Sequence, residues 1–257
     1  MIRRPTDAQK KRFAELCAEH SYTEIRGGDS LDGIGTYNEK RIHRVIKEFV
    51  SSDPSTYEIR VGRAVADVYA DGIITEIQTG SLYPLTKKVA AYLEVPDVRV
   101  RIIYPVISKR RFVRVDPISG EVIRARTSPK KETDRKILPE LIYLSDFLGD
   151  ERLSIEIYSL AAEEHRYSDE VHRYRKSGKY DREIFPTELI FVTELSTKQD
   201  ILSLLPEELL GLDEFTAAQF MRATGIRGRR AYNALNALVN ARVLGKTDTR
   251  PAIFRFI

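Results

Sequence analysis

Cysteine is nearly missing from this chain of 257 residues, and the single one, Cys17, cannot close an internal disulfide. No apolar run approaches the length needed to cross a bilayer. The opening segment, MIRRPTDAQKKRFAELCAEH, carries charge but lacks the apolar stretch of a signal peptide. Internal repeats and low-complexity tracts are absent as well. These absences predict a soluble chain in the reducing cytoplasm with no membrane partner. What is present is an ordinary globular balance, 42% hydrophobic and 31% charged residues. The length suits one larger domain with a sizeable core and a smaller module beside it.

A net charge of +4 hides a strong segregation. Residues 99–131 carry a net +8 and residues 132–215 a net −10, while residues 216–257 carry +7. Two basic zones therefore flank an acidic one. A clustered basic surface attracts phosphate backbones through Coulomb attraction and counterion release, although the same charge can simply solvate a surface. Lys109, Arg110 and Arg111 with Lys130 and Lys131 are the candidates of the first zone for gripping a nucleic-acid backbone, against ordinary exposed strands as the alternative.

Thr6 can cap a helix that runs to about His20. Asn38 can cap a second, EKRIHRVIKEFV, with Ile42, Val45, Ile46 and Phe49 at helical spacing. Strand-like segments follow near 57–61, 63–69 and 73–78, and Asp71-Gly72 between the last two is a strong short-hairpin signal. A helix near 83–93 and a strand at 98–106 complete a strand-helix-strand crossover. Tyr104-Pro105 reads as the end of that strand. A hairpin is expected around Ser119-Gly120, then a helix near 134–148 and a strand near 153–160. Glu163, Glu164 and Arg166 read as a surface charge cluster. The stretch 168–185 is polar with little periodicity and reads as part of a connecting arm.

The chemistry concentrates in ADVYADGIITEIQTG, residues 66–80. Alternation along the strand puts Glu76 and Gln78 on one side and Ile77 on the other, and a turn at Asp71-Gly72 brings Asp67 near Glu76 across the hairpin. Two adjacent carboxylates repel, and partial burial makes the pair costly unless a cation neutralises it. Hard oxygen ligands suit Mg²⁺ or Mn²⁺. The alternative is an amphipathic hairpin whose polar face is simply solvated. A one-residue slip in register would exchange Asp67 for Asp71. Asp-Gly turn chemistry favours Asp67, because it leaves Asp71 to the turn.

The ordered set is more specific. A carboxylate on a helix precedes a strand Asp, then Glu-x-Gln on the next strand, then another helix. This pattern resembles the PD-(D/E)xK nuclease superfamily, closely over residues 36–106, in the variant where Gln stands in the lysine place, as in competence-type nucleases. EIQTG, YPV and TSPKK are also similar to an uncharacterised bacterial family sharing EIQT, a YP strand end and an SPK segment. The resemblance implies a mixed α/β (α+β) fold, a restriction-endonuclease-like sheet flanked by helices. It also implies metal-assisted phosphodiester hydrolysis, with Asp67, Glu76 and the Ile77 carbonyl holding the ion and Glu39 helping with a second. Gln78 is the departure from the family pattern: an amide can orient water or phosphate, but cannot supply the lysine charge. Lys87 and Lys88 on the following helix are the nearest replacement cations, with Lys88 the stronger candidate. His43, one turn from Glu39, is either a base or phosphate contact or a structural residue.

The C-terminal end reads on its own terms. Thr216 can cap AAQFMRAT, Gly225 ends it, RRAYNALNALVNARVLG has helical spacing, and VLGKTDTRPAIFRF looks like a hairpin. This order resembles a winged helix, and the resemblance places Arg227, Arg229 and Arg230 at the start of a helix that would meet DNA. The expected organisation is a nuclease-like domain over 1–165, a connecting arm over 166–196 and the winged-helix-like unit over 197–257. Two functions follow. One is a metal-dependent nuclease acting on nucleic acid, DNA first; the other is a non-catalytic nucleic-acid-binding or regulatory protein with a degenerate nuclease core.

Overall fold

The computed structural model describes residues 1–20, 34–116, 119–167 and 181–257, with only the backbone described for 34–40, 167 and 181–182. The elements in order are β1 (Ile2–Arg3), α1 (Asp7–Glu19), α2 (Ile34–Val50), β2 (Tyr57–Val61), β3 (Ala64–Ala70), β4 (Ile73–Ile77), α3 (Leu85–Leu93), β5 (Arg99–Val115) and β6 (Val122–Thr127). Two short 3-10 segments, Asp134–Ile137 and Glu140–Leu144, lead to β7 (Leu153–Tyr167) and β8 (Asp181–Leu195). The remainder is α4 (Lys198–Leu202), α5 (Glu207–Leu210), β9 (Glu214–Thr216), α6 (Ala217–Thr224), α7 (Arg229–Asn240), β10 (Leu244–Lys246) and β11 (Ile253–Phe256).

The chain has a mixed α/β fold built on a large mixed sheet flanked by helices. Its strand order is β1-β8-β7-β5-β4-β3-β2, with β6 paired to the outer part of β5. The crossover β4-α3-β5 is parallel, Ile73 opposite Arg99 through Ile77 opposite Ile103. α1 and α2 cover one face through Phe13, Leu16, Val45 and Ile46, which pack with Ile77, Ile103 and Leu160. α3 covers the other face through Val89 and Tyr92, against Ile74, Ile102 and Ile155. Ile74 and Ile77 thus serve opposite faces, as a period of two requires. Among the described residues no helix is long and apolar enough to cross a membrane.

Local signals set the helix ends. Thr6 and Gln9 form a capping box at α1, and Thr216 and Gln219 form one at α6. Gly225 closes α6 in the left-handed region at φ 73°. Four expectations are corrected. α2 begins at Ile34 rather than after Asn38, since no proline interrupts the preceding turn. The expected helix near 134–148 is two 3-10 segments, divided at Pro139, which has no N–H to continue a helical ladder.

Pro105 does not end its strand. β5 continues to Val115, because the pairing with β4 stops at Ile103 and the side on which Pro105 would have donated is free of a ladder partner. Lastly, the segment 166–196 contains β8, a full strand of the sheet, paired with β7 from Ile155 opposite Leu195 to Tyr167 opposite Asp181. Residues 168–180 lie outside the described residues.

The C-terminal unit has a three-stranded sheet of order β10-β11-β9 beside α6 and α7. It is not separately cored. Leu235, Leu238, Phe215 and Val243 share one buried cluster with Leu138, Leu141, Ile155 and Tyr92 of the larger unit. Asn240 Nδ2 also donates to Ser145 Oγ at 3.2 Å.

Candidate active site

The β3–β4 turn is made by Asp71 at φ 52° and Gly72 at φ 75°. Both angles lie where a tight hairpin of the right twist needs them, and Gly72 adopts its own without steric cost. The turn fixes the register at Val68 opposite Thr75. The next positions outward are Asp67 and Glu76, where the strand ladder stops. There the Ile77 N–H donates to Asp67 Oδ2 at 2.8 Å, a carboxylate in place of a backbone acceptor.

Each carboxylate is held from a different helix. His43 Nε2, on α2, lies 3.1 Å from Asp67 Oδ2. Lys88 Nζ, on α3, donates to Glu76 Oε2 at 2.7 Å, and the Tyr92 hydroxyl, one turn further on, donates to Glu76 Oε1 at 2.6 Å. Glu76 is 2% exposed. Burial pushes its carboxyl above the usual glutamate range and the charge of Asp67 pushes the same way, so Lys88 and Tyr92 restrain the rise without cancelling it. At Asp67 burial also raises the pKa. There the hydrogen bond and charge of His43, the Ile77 N–H and the charge of Lys88 outweigh burial and hold the group below the usual aspartate range. The two neighbouring acids are thus pushed apart in opposite directions, the arrangement that assigns different proton roles to like groups.

Gln78 sits just past β4, partly exposed, with its N–H on the Ile103 carbonyl at 2.9 Å. Glu39 lies within α2, but its side chain is outside the described residues. Lys88 reaches Glu76, whereas Lys87 is exposed. Tyr92 was not singled out by sequence reasoning. Its signal was position, four residues after Lys88 and so on the same helical face. The donor set fits a hard cation: Asp67 Oδ1 makes no hydrogen bond among the described residues, and each Glu76 oxygen retains a lone pair beyond the one given to Lys88 or Tyr92. The ammonium of Lys88 already supplies positive charge to this acidic pair.

Another group with metal-ligand chemistry is Glu19, His20 and Glu48, whose ligand atoms lie within 4.8 Å of one another. Glu48 is already engaged there, by His20 at 2.8 Å and Arg44 at 3.2 Å.

The basic candidates divide. Arg110 does not present a free charge: it binds Glu164 at 2.9 Å and Glu132 at 3.6 Å. Arg111 binds Glu163 at 2.8 Å. The cause is the parallel β5–β7 register, which lays the basic zone of one strand directly against the acidic zone of the next. Glu164 is accordingly 1% exposed between Arg110 and Arg166, not part of a solvated surface cluster. Lys109, Lys130 and Lys131 are exposed, and so are Arg227, Arg229 and Arg230 at the start of α7.

Comparison with known proteins gives two matches. A family model described as "Domain of unknown function (DUF8091)" matches residues 40–195. A protein of Treponema pallidum (strain Nichols), described as an uncharacterized protein, is 32% identical over 179 residues, 68% of this chain and 70% of that one. No solved structure matches.

Proposed function

This chain belongs to the DUF8091 family, and we propose that the end of its β3–β4 hairpin, with α3, is a divalent-metal-dependent phosphodiesterase site acting on nucleic acid, DNA first. The observation that supports this reading most is the pair of part-buried Asp67 and buried Glu76, pushed apart in proton affinity, with a lysine ammonium 2.7 Å from one of them. A divalent ion held by Asp67, Glu76 and the Ile77 carbonyl, with Glu39 toward a second, would supply a Lewis acid and an ionised water. Lys88 replaces the charge that Gln78 lacks: an ammonium on the helix beside the pair can meet a phosphate oxygen and stabilise charge growing on it. His43 positions Asp67, Tyr92 positions Glu76, and the Gln78 amide can orient water or phosphate. On this reading the larger unit is restriction-endonuclease-like.

The C-terminal unit favours a nucleic-acid partner too. Two helices joined by a tight turn, then a hairpin, with the sheet order β10-β11-β9, support the reading of this unit as a winged helix. It carries exposed Arg227, Arg229 and Arg230 at the amino end of α7, where the helix dipole also favours phosphate. That end supports the second reading, a binding or regulatory protein without catalysis.

Cleavage of labelled single- and double-stranded DNA and RNA with Mg²⁺ or Mn²⁺ separates the two. The expected result is metal-dependent cutting that Asp67→Ala and Glu76→Ala both abolish. Salt-dependent binding without cutting, and no metal uptake by calorimetry, would transfer the function to the second reading.

A further inference from the structure

A cavity of about 360 Å³ opens against β5, β7 and β8, beside the 3-10 segment Asp134–Ile137, and no residue of the β3–β4 hairpin or α3 lines it. Its floor is chemically specific. Ser159 and Thr193, 0% and 1% exposed, stand on adjacent strands in positions where aliphatic residues would otherwise fill the core. Both spend their hydroxyls on one carboxylate: Ser159 Oγ donates to Asp134 Oδ1 at 3.4 Å, and Thr193 Oγ1 donates to Oδ2. Among the described residues no cation pairs with Asp134, although Arg135 next to it is turned to the Leu204 carbonyl at 2.9 Å. Burial pushes the Asp134 carboxyl above the usual aspartate range despite both hydroxyls. A part-buried acid with spare lone pairs, facing open space rather than a protein cation, accepts a hydrogen bond from whatever enters.

The rest of the cavity narrows the choice. Phe191 and Leu204 supply apolar wall. At the mouth stands exposed Lys131, the second lysine of the SPKK segment, with no carboxylate partner among the described residues; nearby Lys136 is paired with Glu132 at 2.7 Å. The volume lies at the small end of ordinary ligand sites, about 300–1,000 Å³. An acceptor at the bottom, an aromatic and an aliphatic wall and a free cation at the entrance match a flat amine-bearing ring that trails an anion.

We propose that this cavity binds a nucleotide whose base carries an exocyclic amine, with the amine donating to Asp134, the base against Phe191 and the phosphate at Lys131. The assignment stands apart from the phosphodiesterase reading, because the two sites share no residue.

Calorimetric titration of the full chain with AMP, CMP, UMP and IMP tests it. AMP or CMP is expected to bind, and IMP, which presents a carbonyl where AMP has its amine, to bind roughly tenfold more weakly than AMP. Lys131→Ala lies on the surface and should fold unchanged, and it should weaken AMP roughly tenfold while leaving adenosine unaffected. Asp134→Asn should erase the preference for AMP over IMP. Competition by a short oligodeoxyadenylate would identify a strand terminus as the natural occupant, and its failure to compete would identify a free nucleotide. No binding at millimolar nucleotide, equal binding of AMP and IMP, or binding indifferent to Lys131→Ala would overturn the assignment. AMP binding lost in Glu76→Ala but kept in both cavity variants would place the nucleotide at the hairpin and overturn it equally.

Discussion

Glu76 and Glu164 are buried to nearly the same extent, 2% and 1% exposed, and both accept a cation, yet their surroundings differ in sign. Glu164 gives one oxygen to Arg110 and the other to Arg166, each guanidinium within 2.9 Å. Glu76 has one ammonium and one neutral phenol, and a second carboxylate beside it competes for the positive charge. Charge is balanced at the first site, where Arg110 also meets Glu132 at 3.6 Å, and under-balanced at the second. The first pattern is that of a scaffold held at cost, since two ions were desolvated to build it. The second leaves room for one more cation or proton, which is what a reactive site requires.

That contrast can be broken from the Glu164 side first. Glu164→Ala removes the buried anion between Arg110 and Arg166, leaves Arg110 only Glu132 at 3.6 Å, and is expected to cost about 2–3 kcal/mol of stability, read by denaturant unfolding. Glu76→Gln, by contrast, removes repulsion from Asp67 and should leave the fold near wild-type stability at neutral pH while ending cleavage. Equal losses in the two variants would erase the distinction. Next in size, Lys88→Met should lower kcat about 10²–10³-fold, the usual cost of one transition-state donor, while exposed Lys87→Met changes it little.

The pH dependence sharpens the comparison from within the hairpin. Glu76, held above its ordinary range, binds its proton more tightly folded than unfolded. It supports folding below the unfolded pKa, and that support is lost as pH rises through the folded pKa. Asp67, held below its range, supports folding above the unfolded pKa and loses that support as pH falls through the folded one. Thermal unfolding followed from about pH 4 to pH 7 should therefore show Glu76→Gln gaining on wild type as pH rises, and Asp67→Asn falling behind. Tyr92→Phe is a smaller change. It removes one hydrogen bond from Glu76, costs about 1 kcal/mol, and should move the acid limb of a pH–rate profile upward, because that bond lowers the Glu76 pKa. Smallest in stability is Arg230→Ala, expected within about 0.5 kcal/mol of wild type but reducing the salt slope of DNA binding by about one.

What was legible in the sequence was local. Asp71-Gly72 sets its own turn, Thr6 with Gln9 and Thr216 with Gln219 cap their own helices, and the turn then brings Asp67 to Glu76 without help from the rest of the chain. Lys88 was legible only as a nearby cation; that it and not Lys87 reaches Glu76 follows from the helical face it shares with Tyr92, which was missed. What was not legible depended on partners far along the chain. The course of β5 through Pro105 depends on where β4 stops, and β8 looked like an arm because its polar residues are those of a strand near one edge of the sheet. Arg110 looked free because its neutralising partner, Glu164, is 54 residues away and arrives only through the β5–β7 register. Composition can count charges, but only register decides which of them meet.

The shared buried cluster that joins α7 to the main sheet has a geometric consequence. A terminal unit on a slack tether samples many distances from its neighbour, whereas one seated on Leu138 and Leu141 keeps a single offset. On the nuclease reading, a strand held at α7 would reach Glu76 at a constant span and angle, as between the jaws of a caliper, and its cuts would fall a set number of steps from the hold.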